Sequence, residues 1–214
     1  MNQINKKIII SNEVNEKIKV TLGYLSCDLV VNESSKELID FINSKVDQRA
    51  SSLKVEEISQ LKNIKFSRDA YRKLGKDPAR YRLSAEALLR RICSGKGIYF
   101  INNVIDCLNV VSFTTGYSIG GYNLEKIQGD ITLSIGNTED QYQGIGRGLL
   151  NIDCLPVLRD SSGAFGNPTS DSVRTSVNQE TKKFLMLFYA FYDDSDLDQA
   201  LNLSKELFET YCNA

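Results

Sequence analysis

The chain has 214 residues, 42% of them hydrophobic and 25% charged, with a formal net charge of −1 and no histidine. That size buries a full core without disulfides or metals, and the near-zero charge excludes a globally basic nucleic-acid binder while leaving local basic patches open. Without histidine, no Ser-His-Asp or Cys-His nucleophile pair and no imidazole zinc site can be assembled, so any catalysis falls to carboxylates, hydroxyls, backbone donors or groups on the substrate.

The five cysteines (Cys27, Cys93, Cys107, Cys154 and Cys212) are scattered and form no CxxC pair. They read as reduced, buried thiols of a cytoplasmic protein, with no metal site and no cofactor motif. No apolar run reaches membrane-spanning length, and the first residues, MNQINKKIII, lack a signal-peptide apolar core. The expectation is a single α+β domain over residues 1–214, with largely antiparallel mixed sheets and flanking helices. Its first 61 residues form a β/helical N-terminal part.

In chain order, residues 8–10 predict a short strand, 11–16 a polar connection, 18–25 a second strand and 27–31 a possible third. Leu38, Ile39, Ile42 and Val46 fall on one stripe of a helix over 35–49, capped by Ser34 or Ser35. A shorter helical piece follows at 55–61. Residues 62–96 carry eleven lysines and arginines against Asp69, Asp77 and Glu86. They include two helices, 67–74 stopped by Gly75 and 84–94 stopped by Gly95. Tyr71 and Tyr81 are interleaved with the cations. The run reads either as a solvated helical face or as a phosphate-tracking surface, with Arg72, Lys73, Arg80, Arg82, Arg90 and Arg91 as the RNA-binding candidates.

Residues 103–123 are the candidate site. Asn103 is read as the cap of a helix carrying Val104, Ile105, Leu108 and Val111, with Asp106 in a structural role near its start. The segment after it, through Thr115 to Gly120 and Gly121, is small and polar, suited to close backbone approach by a ligand; the bland alternative is a core helix followed by a turn. A strand is expected at 130–136. Gly144–Gly148 resembles a phosphate loop only superficially and reads as a hairpin turn. Further on come a strand at 154–159, a loop at 161–172 and the apolar run 184–192, whose length and aromatic content favour a central buried strand. Asp196 is read as the cap of a last amphipathic helix.

The residues Asn103-Val104-Ile105-Asp106 with Asn109, then Ser118-Ile119-Gly120-Gly121-Tyr122-Asn123-Leu124 with Gly129, resemble the editing (tRNA-binding) domain of the phenylalanyl-tRNA synthetase β subunit. Tyr71-Arg72-Lys73-Leu74-Gly75-Lys76-Asp77-Pro78, the Ser84 to Arg91 segment and Asp171-Ser172-Val173-Arg174-Thr175 resemble segments of its stand-alone relatives, and the likeness covers roughly residues 67–212. It implies two sub-lobes around a pocket for the amino acid on a tRNA 3′ end, with tRNA as partner rather than DNA or a membrane. The implied activity is hydrolysis of a misattached amino acid in trans. Asn109 then matches the pocket asparagine, and Gly163, Ala164 and Gly166 the small-residue loop lining the pocket. Gly120 stands in place of the family's pocket histidine, Ser118 in place of a proline and Asn123 in place of an aspartate.

For the chemistry, Asp160 and Asp171 are the candidate general bases. Thr169, Ser172 and Thr175 are candidates for the amino-acid head group or for turn caps, and Arg174 is either a substrate contact or a loop-fixing partner of Asp171. The alternative functions are an RNA-binding module without hydrolysis and a binder of a free amino acid or similar metabolite.

Overall fold

The computed structural model describes residues 4–214. In chain order these contain β1 (Ile8–Ile10), α1 (Asn12–Lys17), β2 (Val20–Asp28), α2 (Lys36–Ser52), α3 (Lys62–Lys73), α4 (Ser84–Cys93), α5 (Asn103–Thr115), β3 (Ile119–Asn123), β4 (Ile131–Ile135), β5 (Gln141–Gly144), β6 (Gly148–Asn151), β7 (Pro156–Asp160), β8 (Gly163–Gly166), β9 (Lys183–Phe191) and α6 (Leu197–Tyr211). Short 3-10 turns lie at Ile58–Gln60, Leu124–Lys126 and Val173–Thr175. This is a mixed α+β architecture of three sheets: β2-β9-β3, β1-β4-β7-β8 and the hairpin β5-β6. All pairings are antiparallel except β1 with β4.

β9 is the middle strand of its sheet, paired with β2 from Val20↔Phe191 to Asp28↔Lys183 and with β3 from Ile119↔Phe188 to Asn123↔Phe184. Side chains of a strand alternate between faces. Accordingly Phe184, Met186, Phe188 and Ala190 enter the core shared with α2, α4, α5 and α6. Leu185, Leu187, Tyr189 and Phe191 enter a second core, shared with Ile131, Leu133, Leu158 and Phe165 of the four-stranded sheet. A strand covered on both faces needs apolar residues at every position, which is why this run does not alternate. Each large side chain buried here contributes roughly 1.5–3 kcal/mol of transfer free energy.

The helices follow local rules where the cap chemistry is simple. Ser35 caps α2 by accepting from the Leu38 amide at 3.2 Å. α5 ends where Gly116 adopts φ +76°, a left-handed stop that glycine supplies without strain. Several boundaries differ from expectation. Asn102, not Asn103, caps α5, accepting from the Ile105 amide at 2.9 Å. Asn103 is instead buried, donating to the carbonyls of Val30 and Tyr211 and accepting from the Asn32 amide. α3 begins at Lys62, five residues before the expected start, and Ser67 lies inside it with its hydroxyl on the Asn63 carbonyl. The polar connection at 11–16 is mostly helix α1, and the loop expected at 161–172 contains β8. Of the possible third strand at 27–31 only Cys27 and Asp28 are extended, as the end of β2, while 29–31 lie in no strand. Asp196 sits at the start of α6, but its carboxylate pairs with Lys62 at 2.9 Å instead of capping the helix.

Phe188→Ala, which hollows the helical face of β9, is expected to lower stability by about 3–5 kcal/mol in urea denaturation. Tyr24→Ala on the partly exposed neighbouring strand is expected to cost far less.

Candidate functional site

The structure divides the sequence-predicted residues into three groups. The first lines an open cleft of about 510 Å3 formed by β5, the β7–β8 turn and the segment after β8. Gly163, Ala164, Ser172 and Arg174 face it, together with Glu139, Asp140, Gln141, Tyr142 and Gln143. Its walls are held by two ion pairs. The Arg159 guanidinium pairs with Asp140, and Arg174 makes a bidentate contact with Asp160, at 2.9 and 2.8 Å. Asp160 also accepts from the amides of Gln128 and Ser162, at 2.8 and 2.9 Å. Burial alone would raise its carboxyl, but the Arg174 guanidinium and these amides outweigh burial and hold it below the usual range. With all its donors in place and its side chain enclosed, Asp160 is an anchor of the β7–β8 turn. The loop-fixing partner of Arg174 is therefore Asp160 and not Asp171.

The second group lies just behind this cleft. The Tyr122 hydroxyl donates to Asp171 Oδ1 at 2.6 Å and lies 3.5 Å from the Tyr189 hydroxyl. A Cβ built on Gly120 would fall on the Tyr122 hydroxyl; one on Gly166 would meet that hydroxyl and Asp171 Oδ1, the latter at 2.7 Å. Both positions are thus glycine because the chain's own tyrosine makes the close approach that sequence reasoning assigned to a ligand. Burial pushes the Asp171 carboxyl up from 3.8 to about 7, against the lowering effect of the Tyr122 hydroxyl and the Gly121 amide. Asp171 is also tied to the hairpin, its carbonyl accepting from the Ile145 amide at 3.0 Å. Its charge reaches Tyr142 in the cleft wall, whose phenol burial and Asp171 together raise. Tyr142 in turn donates to the Ser170 carbonyl and accepts from Asn167, both at 2.6 Å. Asn167 Oδ1 holds the Thr169 amide at 2.7 Å, and the Thr169 hydroxyl is 2.9 Å from that of Tyr71. Thr175 is buried with its hydroxyl unpartnered.

The third group lies elsewhere. Gly121 points to the opposite face from Gly120, where a Cβ would stand 2.6 Å from Leu108 of α5. Asn109 belongs to α5, on that helical side of the sheet, so it does not meet the Gly120–Gly166 cluster. Thr115 lines a separate hollow of about 450 Å3 between α3, α5 and α6. A further hollow of about 530 Å3, at the ends of β2 and β9, gathers none of the predicted residues.

The basic run is less free than its composition implies. Lys62 pairs with Asp193 and Asp196, Lys65 and Arg72 with Asp69, and Arg68 and Arg90 with Glu86, a carboxylate only 1% exposed. Lys76 is 3.9 Å from Asp153 and sits over the Tyr81 ring. Of the six RNA-binding candidates, Arg72 and Arg90 are therefore neutralised within the fold. Lys73, Arg80 and Arg82 are exposed and show no carboxylate partner among the described residues, and Arg91 stacks on Tyr99. Among the described residues no group of side chains has the makeup of a metal site, and no helix is long and apolar enough to cross a membrane.

The model of the B3/4 domain family matches residues 67–213. The chain belongs to the B3/4 domain family. This B3/4 protein is similar in structure to an N-terminal fragment of the phenylalanyl-tRNA synthetase β-subunit from Pyrococcus horikoshii, with a TM-score of 0.51 and 11% sequence identity. The match covers 97% of this chain and 49% of the fragment, so the chain spans about half the fragment's length. At that identity the likeness is one of fold. No curated protein matches the sequence.

Sequence reasoning missed Tyr122, Tyr142 and Asn167 as parts of the candidate site in this B3/4 protein. One signal for Tyr122 was present: two residues after Gly120 on a strand, it must share that glycine's face. The folded Asp171 carboxyl keeps its proton to about pH 7, whereas an ordinary one releases it near 3.8. Protonation therefore favours the fold: its contribution is full below that lower value and is lost as pH rises to about 7. Asp171→Asn should flatten this part of the stability profile, read by thermal melts from pH 4 to 8.

Proposed function

We propose that this protein binds the 3′ end of an aminoacyl-tRNA and hydrolyses a misattached amino acid in trans, as a soluble cytoplasmic factor. Membership of the B3/4 family and the fold shared with the synthetase fragment support the reading. The single observation that carries it is the cleft that gathers Gly163, Ala164, Ser172 and Arg174, with the Asp171 carboxyl, raised by burial, just behind its wall. A base whose pKa lies near the working pH combines the deprotonated form with useful proton affinity. In this reading Asp171 takes the proton of the attacking water. The turn amides of Ser161 and Ser162 are already bonded to the Gln128 carbonyl and Asp160. The oxyanion is therefore stabilised by the Ser162 hydroxyl at the cleft, an interaction worth roughly 3–4 kcal/mol per donor. Glu139 at the cleft rim, which has no cationic partner among the described residues, meets the α-ammonium of the aminoacyl group. The RNA approaches across Lys73, Arg80 and Arg82.

Purified protein incubated with a panel of mischarged tRNAs should deacylate at least one faster than the buffer control. The rate should rise with pH and level off above about 7, and Asp171→Asn should lower it by about a hundredfold or more. If no member of the panel is cleared, hydrolysis is excluded.

A second reading, tRNA binding without turnover, is favoured by the closure of the Gly120 position by Tyr122. Both readings require salt-dependent binding. Replacing Lys73, Arg80 and Arg82 together with alanine should flatten the plot of log affinity against log salt by about 2–3 units. Arg72→Ala, which removes a cation already paired with Asp69, should leave the slope nearly unchanged.

A further inference from the structure

The turn from α4 into α5 exposes three large apolar residues in succession. Tyr99 is 68% exposed, Phe100 43% and Ile101 63%. Soluble proteins seldom leave such a contiguous group uncovered unless it meets a partner. The segment is built to project. α4 closes with the Gly95 and Lys96 amides on the carbonyls of Ile92 and Arg91, both at 3.0 Å. Gly95 and Gly97 then take φ +74° and +57°, which turn the chain away from the helix. At its far end the loop is pinned, because the Ile101 amide donates to the buried Asp106 carboxylate at 3.0 Å.

The chemistry of the group is cationic as well as aromatic. The Arg91 guanidinium lies 3.7 Å from the centre of the Tyr99 ring, and its buried Nε has no hydrogen-bond partner. Exposed Lys96 stands in the same loop, and no Asp or Glu occurs between Glu86 and Asp106. An aromatic ring backed by a guanidinium and flanked by an ammonium offers a π-face to a base and positive charge to its phosphate. A duplex hides its base faces, so such a surface favours unpaired nucleotides.

We infer that Tyr99, Phe100 and Ile101, backed by Arg91 and Lys96, form a platform on which unpaired RNA nucleotides stack. The inference rests on the reading of the chain as an RNA binder, not on hydrolysis. The platform lies at the C-terminal end of α4, whereas Arg80 and Arg82 precede its N-terminus. A bound strand therefore contacts cations at both ends of one helix.

Fluorescence anisotropy with a labelled eight-nucleotide single-stranded RNA, and with a duplex of the same sequence, tests it. The native protein should prefer the single strand. Tyr99→Ala should weaken single-strand binding about tenfold, and Tyr99→Phe should keep most of the affinity because the ring remains. Tyr99 is so exposed that neither change should disturb the fold, which circular dichroism checks. If Tyr99→Ala binds the single strand as well as the native protein while the Lys73/Arg80/Arg82 variant binds it less well, the platform is wrong and RNA binding survives. If the native protein binds no RNA, both fall. Self-association of the native protein that Tyr99→Ala abolishes, without any RNA effect, would make the patch a contact between copies and overturn the inference.

Discussion

The fold rests on a strand that is covered on both sides. Because every residue of β9 from Phe184 onward is buried, the chain has to supply two separate covers. The helices α2, α4, α5 and α6 make one, and the sheet β1-β4-β7-β8 makes the other. The arrangement also dictates which residues can meet. Neighbouring positions on β3 look into different cores, so Gly120 faces Tyr122 and Gly166 while Gly121 faces Leu108. Side chains on α5 and groups on the β7–β8 turn are separated by the thickness of the sheet.

Two aspartates near the same cleft show how environment moves one residue type in opposite directions. Asp160 receives a guanidinium and two backbone amides, stays ionised and holds a turn in place. Asp171 is enclosed with fewer compensating donors, so its carboxyl rises toward neutrality. Only the second has its carboxyl raised to about 7, and only the second accepts from a tyrosine hydroxyl, that of Tyr122.

How much of this was legible in the sequence depends on the range of the interaction involved. β9, α2, the final helix and the β5–β6 hairpin were readable because each follows from hydrophobic pattern, caps or turn residues within a few positions. The start of α3 was not, because Ser67 looks like a cap but serves the Asn63 carbonyl one turn back. The partner of Arg174 was misread because Asp171 is nearer in sequence while Asp160 is nearer in space. The charge of residues 62–96 was overestimated for a similar reason. Lys62 finds Asp193 and Asp196 at the other end of the chain, and the single buried carboxylate of Glu86 serves both Arg68 and Arg90. Gly163, Ala164, Ser172 and Arg174 line one cleft because all four flank one short hairpin. The sequence, by contrast, offered the two small residues through the family resemblance and the other two as separate head-group or loop-fixing candidates.

The wedge of Tyr122 between Gly120 and Gly166 has a consequence for how such a chain can vary. The three positions share one fixed volume, so a side chain can be gained at 120 or 166 only if the ring at 122 is given up. Relatives built on the same strand should therefore show reciprocal sizes: bulk at the glycine positions with a small residue in place of the tyrosine, or the reverse. A lineage crossing from one state to the other must pass through an intermediate that is either overfilled or hollow, which makes the present packing hard to leave one substitution at a time.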